Sequence, residues 1–151
     1  MDPRTIATRY LAEASVMQIA TMHGDQPRVN SVYFVAVLDE QSIYWLSEPH
    51  RRHSRDIGLN PRVSGAIAVK AEVPVAGLQF IGTAEEVTAL EEIGAIATQY
   101  AEKYDGIGRD LSERYQAGTN KHRLYKLSIT QLELFDEVHF PGGEVVTVPL
   151  L

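Results

Sequence analysis

Three strand-like runs follow one another between residues 15 and 47, joined by turns so short that neighbouring strands must run antiparallel. "SVMQIATM" (15–22), "RVNSVYFVAVL" (28–38) and "SIYWLS" (42–47) are rich in β-branched and aromatic residues, and "HGDQP" and "DEQ" supply the turns. Tyr44 and Trp45 alternate on the third run, so one faces the interior and the other a helix or a partner chain. Everything else in the chain has to be arranged around this meander.

Ahead of it, Asp2 and Pro3 read as an N-cap and first helical position, and Ile6, Tyr10, Leu11 and Ala14 recur at helical spacing. After it, the stretch from Glu48-Pro49 to Gly58–Pro61 leaves room for roughly two helical turns, with Pro49 suited to the first. "RVSGAIAV" (62–69) and "LQFIGTAEEVT" (78–88) are strands, with Gly82 as a bulge or close-approach point. Thr88 and Glu91 have capping-box spacing, and Leu90, Ile93, Ala97, Tyr100 and Tyr104 follow on one helical face. A second short helix covers "GRDLSERYQ" after the Gly106/Gly108 break, and Tyr100, Tyr104 and Tyr115 read as helix packing. "HRLYKLSI" (122–129), "LELFDEV" (132–138) and "EVVTVPL" (144–150) close the chain as strands, with Gly142-Gly143 as a hairpin turn. The pattern is mainly β with helical insertions (α+β), an antiparallel barrel.

The 151 residues, 44% hydrophobic and 23% charged, suit one domain with one sizeable core. A net charge of −6 disfavours a broad nucleic-acid or anionic-membrane surface but leaves room for one local anion site. Without cysteine there is no disulfide framework, thiolate metal site or cysteine nucleophile. The start lacks the order of a secretory signal and no apolar stretch is long enough to span a membrane, so a cytoplasmic location is expected.

Against that acidic background, "HRRHSR" (50–55) gathers positive charge directly after the third strand. Such a run is ordinarily a solvated helix face. Here Arg51, Arg52 and His53 stand at the helix start, where they oppose the dipole at a cost of some tenths of a kcal/mol each, roughly. With Ser47 just before them, unpaired N–H groups and basic side chains converge on one point, which suits a phosphate monoester. Each charge-assisted bond contributes about 1.5–3 kcal/mol, and a flat ring system beside the phosphate would add buried area.

The succession "QPRVNSVYFVAVLDEQSIYWLSEPHRRHSRDIGLNPRVSGAIAV" and "GLQFIGTAEEVT" resembles the FMN-binding split barrels related to pyridoxamine phosphate oxidase. The resemblance runs from "SVMQIAT" to "LYKLSITQLELFDEV" and implies an antiparallel split β-barrel. By that resemblance, Arg52 and His53 fall on an Arg-Lys pair that grips the flavin phosphate, with Ser47 and the preceding Leu46 ending the strand before it. Asn30, Ser31, Val32 and Tyr33 fall on the segment facing the isoalloxazine edge, and Gln79 lies near a ring contact. His53 stands where Lys is usual, making charge pairing pH-dependent near neutrality, and Asn30 stands where Arg is common; Arg51 or Arg55 would compensate. The ending "HFPGGEVVTVPLL" lacks the Arg/His signature with which true pyridoxamine phosphate oxidases hold substrate. The resemblance further implies a homodimer with two flavins between the chains, and His139 and Phe140 as contacts to the partner's flavin.

Two rivals can be assembled on paper. His50 and His53 have metal-binding spacing but no third ligand and cationic neighbours, and Ser47, His53 and Asp56 lack a nucleophile elbow. The leading expectation is an FMN-dependent oxidoreductase of a small molecule, with no catalytic acid or base legible because hydride chemistry belongs to the cofactor. The alternatives are a flavin carrier without turnover, or the same fold around a deazaflavin or a haem.

Overall fold

The computed structural model describes residues 1–151. Its strands are β1 (Val16–His23), β2 (Gln26–Tyr33), β3 (Val35–Val37), β4 (Ser42–Ser47), β5 (Arg62–Lys70), β6 (Ala76–Glu86), β7 (Arg123–Asp136) and β8 (Val145–Thr147). The helices are α1 (Pro3–Glu13), α2 (Arg52–Leu59), α3 (Leu90–Lys103) and α4 (Leu111–Ala117). All strand pairs are antiparallel, in the order β2-β1-β5-β6-β7-β4-β3, with β8 added to β7.

That order explains the shape. β2 and β3 stand at opposite ends of the sheet, yet only Phe34 separates them along the chain. The sheet must therefore curl until its two edges meet, and the chain crosses the seam at Phe34. The single long strand expected over 28–38 is consequently two strands, one pairing with β1 and the other with β4. Two tyrosines of α3 stitch the crossing. The Tyr104 hydroxyl accepts from the Phe34 N–H (3.2 Å) and lies in donating reach of the Ser15 and Phe34 carbonyls, and the Tyr100 hydroxyl reaches the carbonyls of Tyr33 (3.1 Å) and Tyr44 (3.2 Å). The Phe34 N–H also donates to the Ser15 carbonyl (3.3 Å), so the tyrosine hydroxyls reinforce the crossing where the ladders part.

The barrel interior is packed by Met17, Ile19, Ile43, Trp45, Leu78 and Leu127 among others, and a second cluster around Tyr44, Ile93, Ile96, Tyr100 and Leu124 seats α3 on the sheet. Trp45 thus points inward, stacked on Tyr125, while Tyr44 points to the helix and donates to Glu92 (2.7 Å). Asp2 caps α1 as expected, accepting from the Thr5 N–H (3.1 Å). The Thr88/Glu91 capping box does not form, because the chain enters α3 through Ala89, one residue later. The two strands expected over 122–138 are one, interrupted only by a bulge at Thr130 opposite the Ile81–Gly82 step. The last strand is reduced to three residues, because it only flanks the end of β7. No helix is long and apolar enough to cross a membrane.

Candidate functional site

A cleft of about 700 Å³ opens at the seam. One wall is the end of β2 with the end of β4: Ser31, Val32, Tyr33 and Leu46. The other is the α3–α4 connection with α4 and the residue just before β7, contributing Ile107, Gly108, Asp110, Leu111, Arg114 and His122. Gly108 has φ +86°, and a Cβ there would lie 2.9 Å from the Tyr100 Cβ, so only glycine lets this wall pack so closely. Tyr33 is 58% exposed and meets the Tyr104 ring edge-on, leaving a flat aromatic surface at the mouth.

Past Leu46 the chain runs into Ser47 and the basic segment. Helix α2 begins at Arg52 with Arg51 as N-cap, whereas Glu48 to Arg51 form a turn closed by the Arg51 N–H on the Glu48 carbonyl (3.1 Å). Pro49 is therefore in the turn rather than the helix, and Ser47 does not cap it. Ser47 instead meets His53: its Oγ lies 2.8 Å from the His53 Nε2 and accepts from the Ser54 hydroxyl (3.2 Å). Ser47, His53 and Ser54 are all buried, while Arg51, Arg52 and Arg55 are exposed. Burial, reinforced by the neighbouring Arg51 and Arg52 charges against a pull from Asp56, holds the His53 pKa below the ordinary histidine value. That downward shift favours the neutral, hydrogen-bonding form of His53 in the ligand-free chain. Glu48 offsets part of the surrounding positive charge, with its Oε2 3.1 Å from the His50 Nε2 and 3.9 Å from the Arg51 Nε.

His50 turns to Glu48 and His53 to Ser47, so the two do not share a site. Asp56 does not complete a relay with His53 either. Its buried carboxylate accepts from the Thr21 hydroxyl (3.0 Å) and lies 3.5 Å from the Arg28 Nε and 3.3 Å from the His23 Nδ1, pinning α2 to the β1–β2 hairpin. Asn30 sits on β2 with its Nδ2 buried and unpartnered. Gln79 lies elsewhere, on the outer face of the sheet, in a shallow groove with Gln18, Ser64 and Ala66. Within the chain, His139 Nδ1 is 2.7 Å from Asp136 Oδ2, and Phe140 packs on the barrel core.

One protomer thus brings Ser31, Val32, Tyr33 and Leu46 into one cleft, sets Ser47, Arg51, Arg52 and His53 beside it, and leaves Gln79 apart. Val32, Tyr33, Leu46 and Ile107 give the cleft an apolar lining, and the segment that follows Leu46 in the chain carries the Ser47 and Ser54 hydroxyls and exposed guanidinium groups. That polarity fits a phosphorylated planar molecule. The helical wall bearing Arg114 and His122 escaped sequence reading, since "YDGIGRD" registers there only as a break between helices.

The pyridoxamine 5′-phosphate oxidase family model matches residues 6–136. The chain belongs to that family. Within the pyridoxamine 5′-phosphate oxidase family it resembles uncharacterised branches: a UPF0306 protein of Photorhabdus laumondii is 34% identical over 88 residues, 57% of this chain and 59% of the relative. The chain spans less than two thirds of the length of the curated relatives it matches. HutZ, the haem storage protein from Vibrio cholerae, shares the fold with a TM-score of 0.70 at 22% identity, over 90% of this chain and 95% of that one. A FAD-binding protein from Mesorhizobium loti does so with a TM-score of 0.62 at 18% identity, over 89% and 94%. The split barrel of the pyridoxamine 5′-phosphate oxidase family is thus common to neighbours named for haem and for flavin.

Proposed function

We propose that the protein binds FMN in the seam cleft, between two chains of a homodimer, and acts as a flavin-dependent oxidoreductase on a small molecule. The observation that carries this reading is adjacency along the chain: Leu46, on the cleft wall with Ser31, Val32 and Tyr33, is followed directly by Ser47 and then by the basic start of α2. A phosphate beside Ser47 would take hydrogen bonds from that hydroxyl and from His53 and charge from Arg52 and Arg51, while Asn30 supplies a buried donor. FMN, when bound, supplies the hydride and electron chemistry. The protein's own groups hold it, orient it and exclude water. Gln79 joins the site only from a second chain docked on the outer sheet face.

Titration of the purified protein with FMN tests this. Saturable binding with a perturbed flavin spectrum is expected, weakened at least about tenfold in Arg52→Ala by loss of a charge-assisted contact. No binding of FMN to the wild-type chain overturns it. His122 gives a haem reading one specific support, as a histidine on the cleft wall able to ligate iron; a Soret band on haem addition, without FMN competition for it, decides for that alternative. Competition between FMN and a deazaflavin separates those two, and reduction by NADH or NADPH separates an oxidoreductase from a carrier.

A further inference from the structure

The far wall of the cleft has a chemistry that FMN binding does not use. Arg114 and His122 both line it, and the Arg114 Nε is buried with no hydrogen-bond partner. Asp110, also on this wall, holds the Arg114 Nη1 at 2.9 Å and so fixes the guanidinium plane. The His122 Nε2 stands 4.0 Å from Glu48 Oε1, too far for a hydrogen bond, and half of its side chain is exposed. With Nη1 held by Asp110 and Nε unsatisfied, a small side-chain shift that uncovers the buried Nε gives a carboxylate the side-on pair of parallel N–H donors that it accepts with both oxygens.

We propose that this wall is the substrate-recognition subsite and that it selects a planar molecule bearing one carboxylate. The proposal rests on the flavin reading for its place in a reaction, but not for its binding chemistry. A monoanion is favoured over a phosphate dianion because Asp110 already neutralises much of the Arg114 charge and would repel a second negative charge. The planar body is favoured by Ile107 and Leu111, which flank Arg114 on this wall, with the Val32, Tyr33 and Leu46 face left to the flavin.

Benzoate is the probe. Its binding is measured by proton-detected NMR titration of the protein without FMN and again with FMN saturating, so the result does not depend on turnover. Benzoate is expected to bind at least about tenfold tighter than neutral benzamide and tighter than phenyl phosphate, and Arg114→Gln is expected to abolish the preference over benzamide. Arg114→Lys should recover only part of the benzoate affinity, lacking the paired donors. Benzoate binding equally to wild type and Arg114→Gln, no preference over benzamide, or tighter phenyl phosphate binding each overturns the subsite. Failure of FMN to bind while benzoate discrimination persists overturns the flavin reading alone.

Discussion

Asp136 organises more of the structure than any other single charge. Its Oδ2 accepts from the Tyr10 hydroxyl (2.8 Å) and faces the His139 Nδ1 (2.7 Å), while its Oδ1 accepts from the backbone N–H groups of Val138 (3.0 Å) and His139 (3.1 Å). It therefore ties α1 to the turn that leaves β7. Burial alone would raise its pKa, but the bonds from Tyr10 and His139 outweigh burial and hold it below the ordinary aspartate value, while burial, reinforced by the Asp136 carboxylate, pushes Tyr10 up to about 12. A carboxylate whose folded pKa is depressed contributes stability above its unfolded pKa and loses it as pH falls through the folded value. Asp136→Asn should accordingly cost about 1–3 kcal/mol at neutral pH, and the gap to wild type should narrow in acid below about pH 4. Urea midpoints measured at pH 7 and pH 3 check both halves. Residues of this kind were illegible beforehand, since Tyr10 and Asp136 are far apart in the chain. Arg52 was legible because its neighbours in sequence are also its neighbours in space; Arg114 was not, since its role depends on a wall assembled from α4 and β7.

At the level of elements, the sequence located nearly every strand and helix and missed how they join. The run from Arg28 to Leu38 carries one uninterrupted β pattern, and nothing local marks Phe34 as the point where the chain changes partner. Pairing is decided by sheet closure, a non-local event. The α2 start moved for the opposite reason: Pro49 suits a first helical turn, but the buried contacts of Ser47 with His53 and Ser54 keep the intervening residues in a turn. Gly82 was read correctly as a close approach. A Cβ there would lie 2.1 Å from the Ser128 carbonyl oxygen and 2.9 Å from the Leu127 Cδ2, beside the Thr130 bulge. Gly82→Ala must push β6 and β7 apart, so a loss of at least about 2 kcal/mol is expected, measurable as a lowered thermal midpoint.

Considered as a whole molecule, the barrel has one outer face poorly suited to water. Val29 is 60% and Ile81 50% exposed, lining a groove with Gln18, Ala20, Ser64 and Ala66, where Glu133 is the one charged residue. A self-complementary surface of this kind suits a two-fold contact, which is where the proposed dimer would form and how Gln79 would reach a neighbouring cleft. Ala66→Arg places a charge in the middle of that face. It should yield monomer by light scattering with an unchanged far-ultraviolet spectrum and much weakened FMN binding; a dimer that survives the substitution would move the contact elsewhere.

The position of Trp45 has a practical side. It is the chain's sole indole, rigidly stacked on Tyr125 in the barrel interior and followed in the strand by Leu46 of the cleft wall. Its fluorescence comes from one fixed place, so any chromophore settling against Leu46 dims a lamp that no other tryptophan can mask.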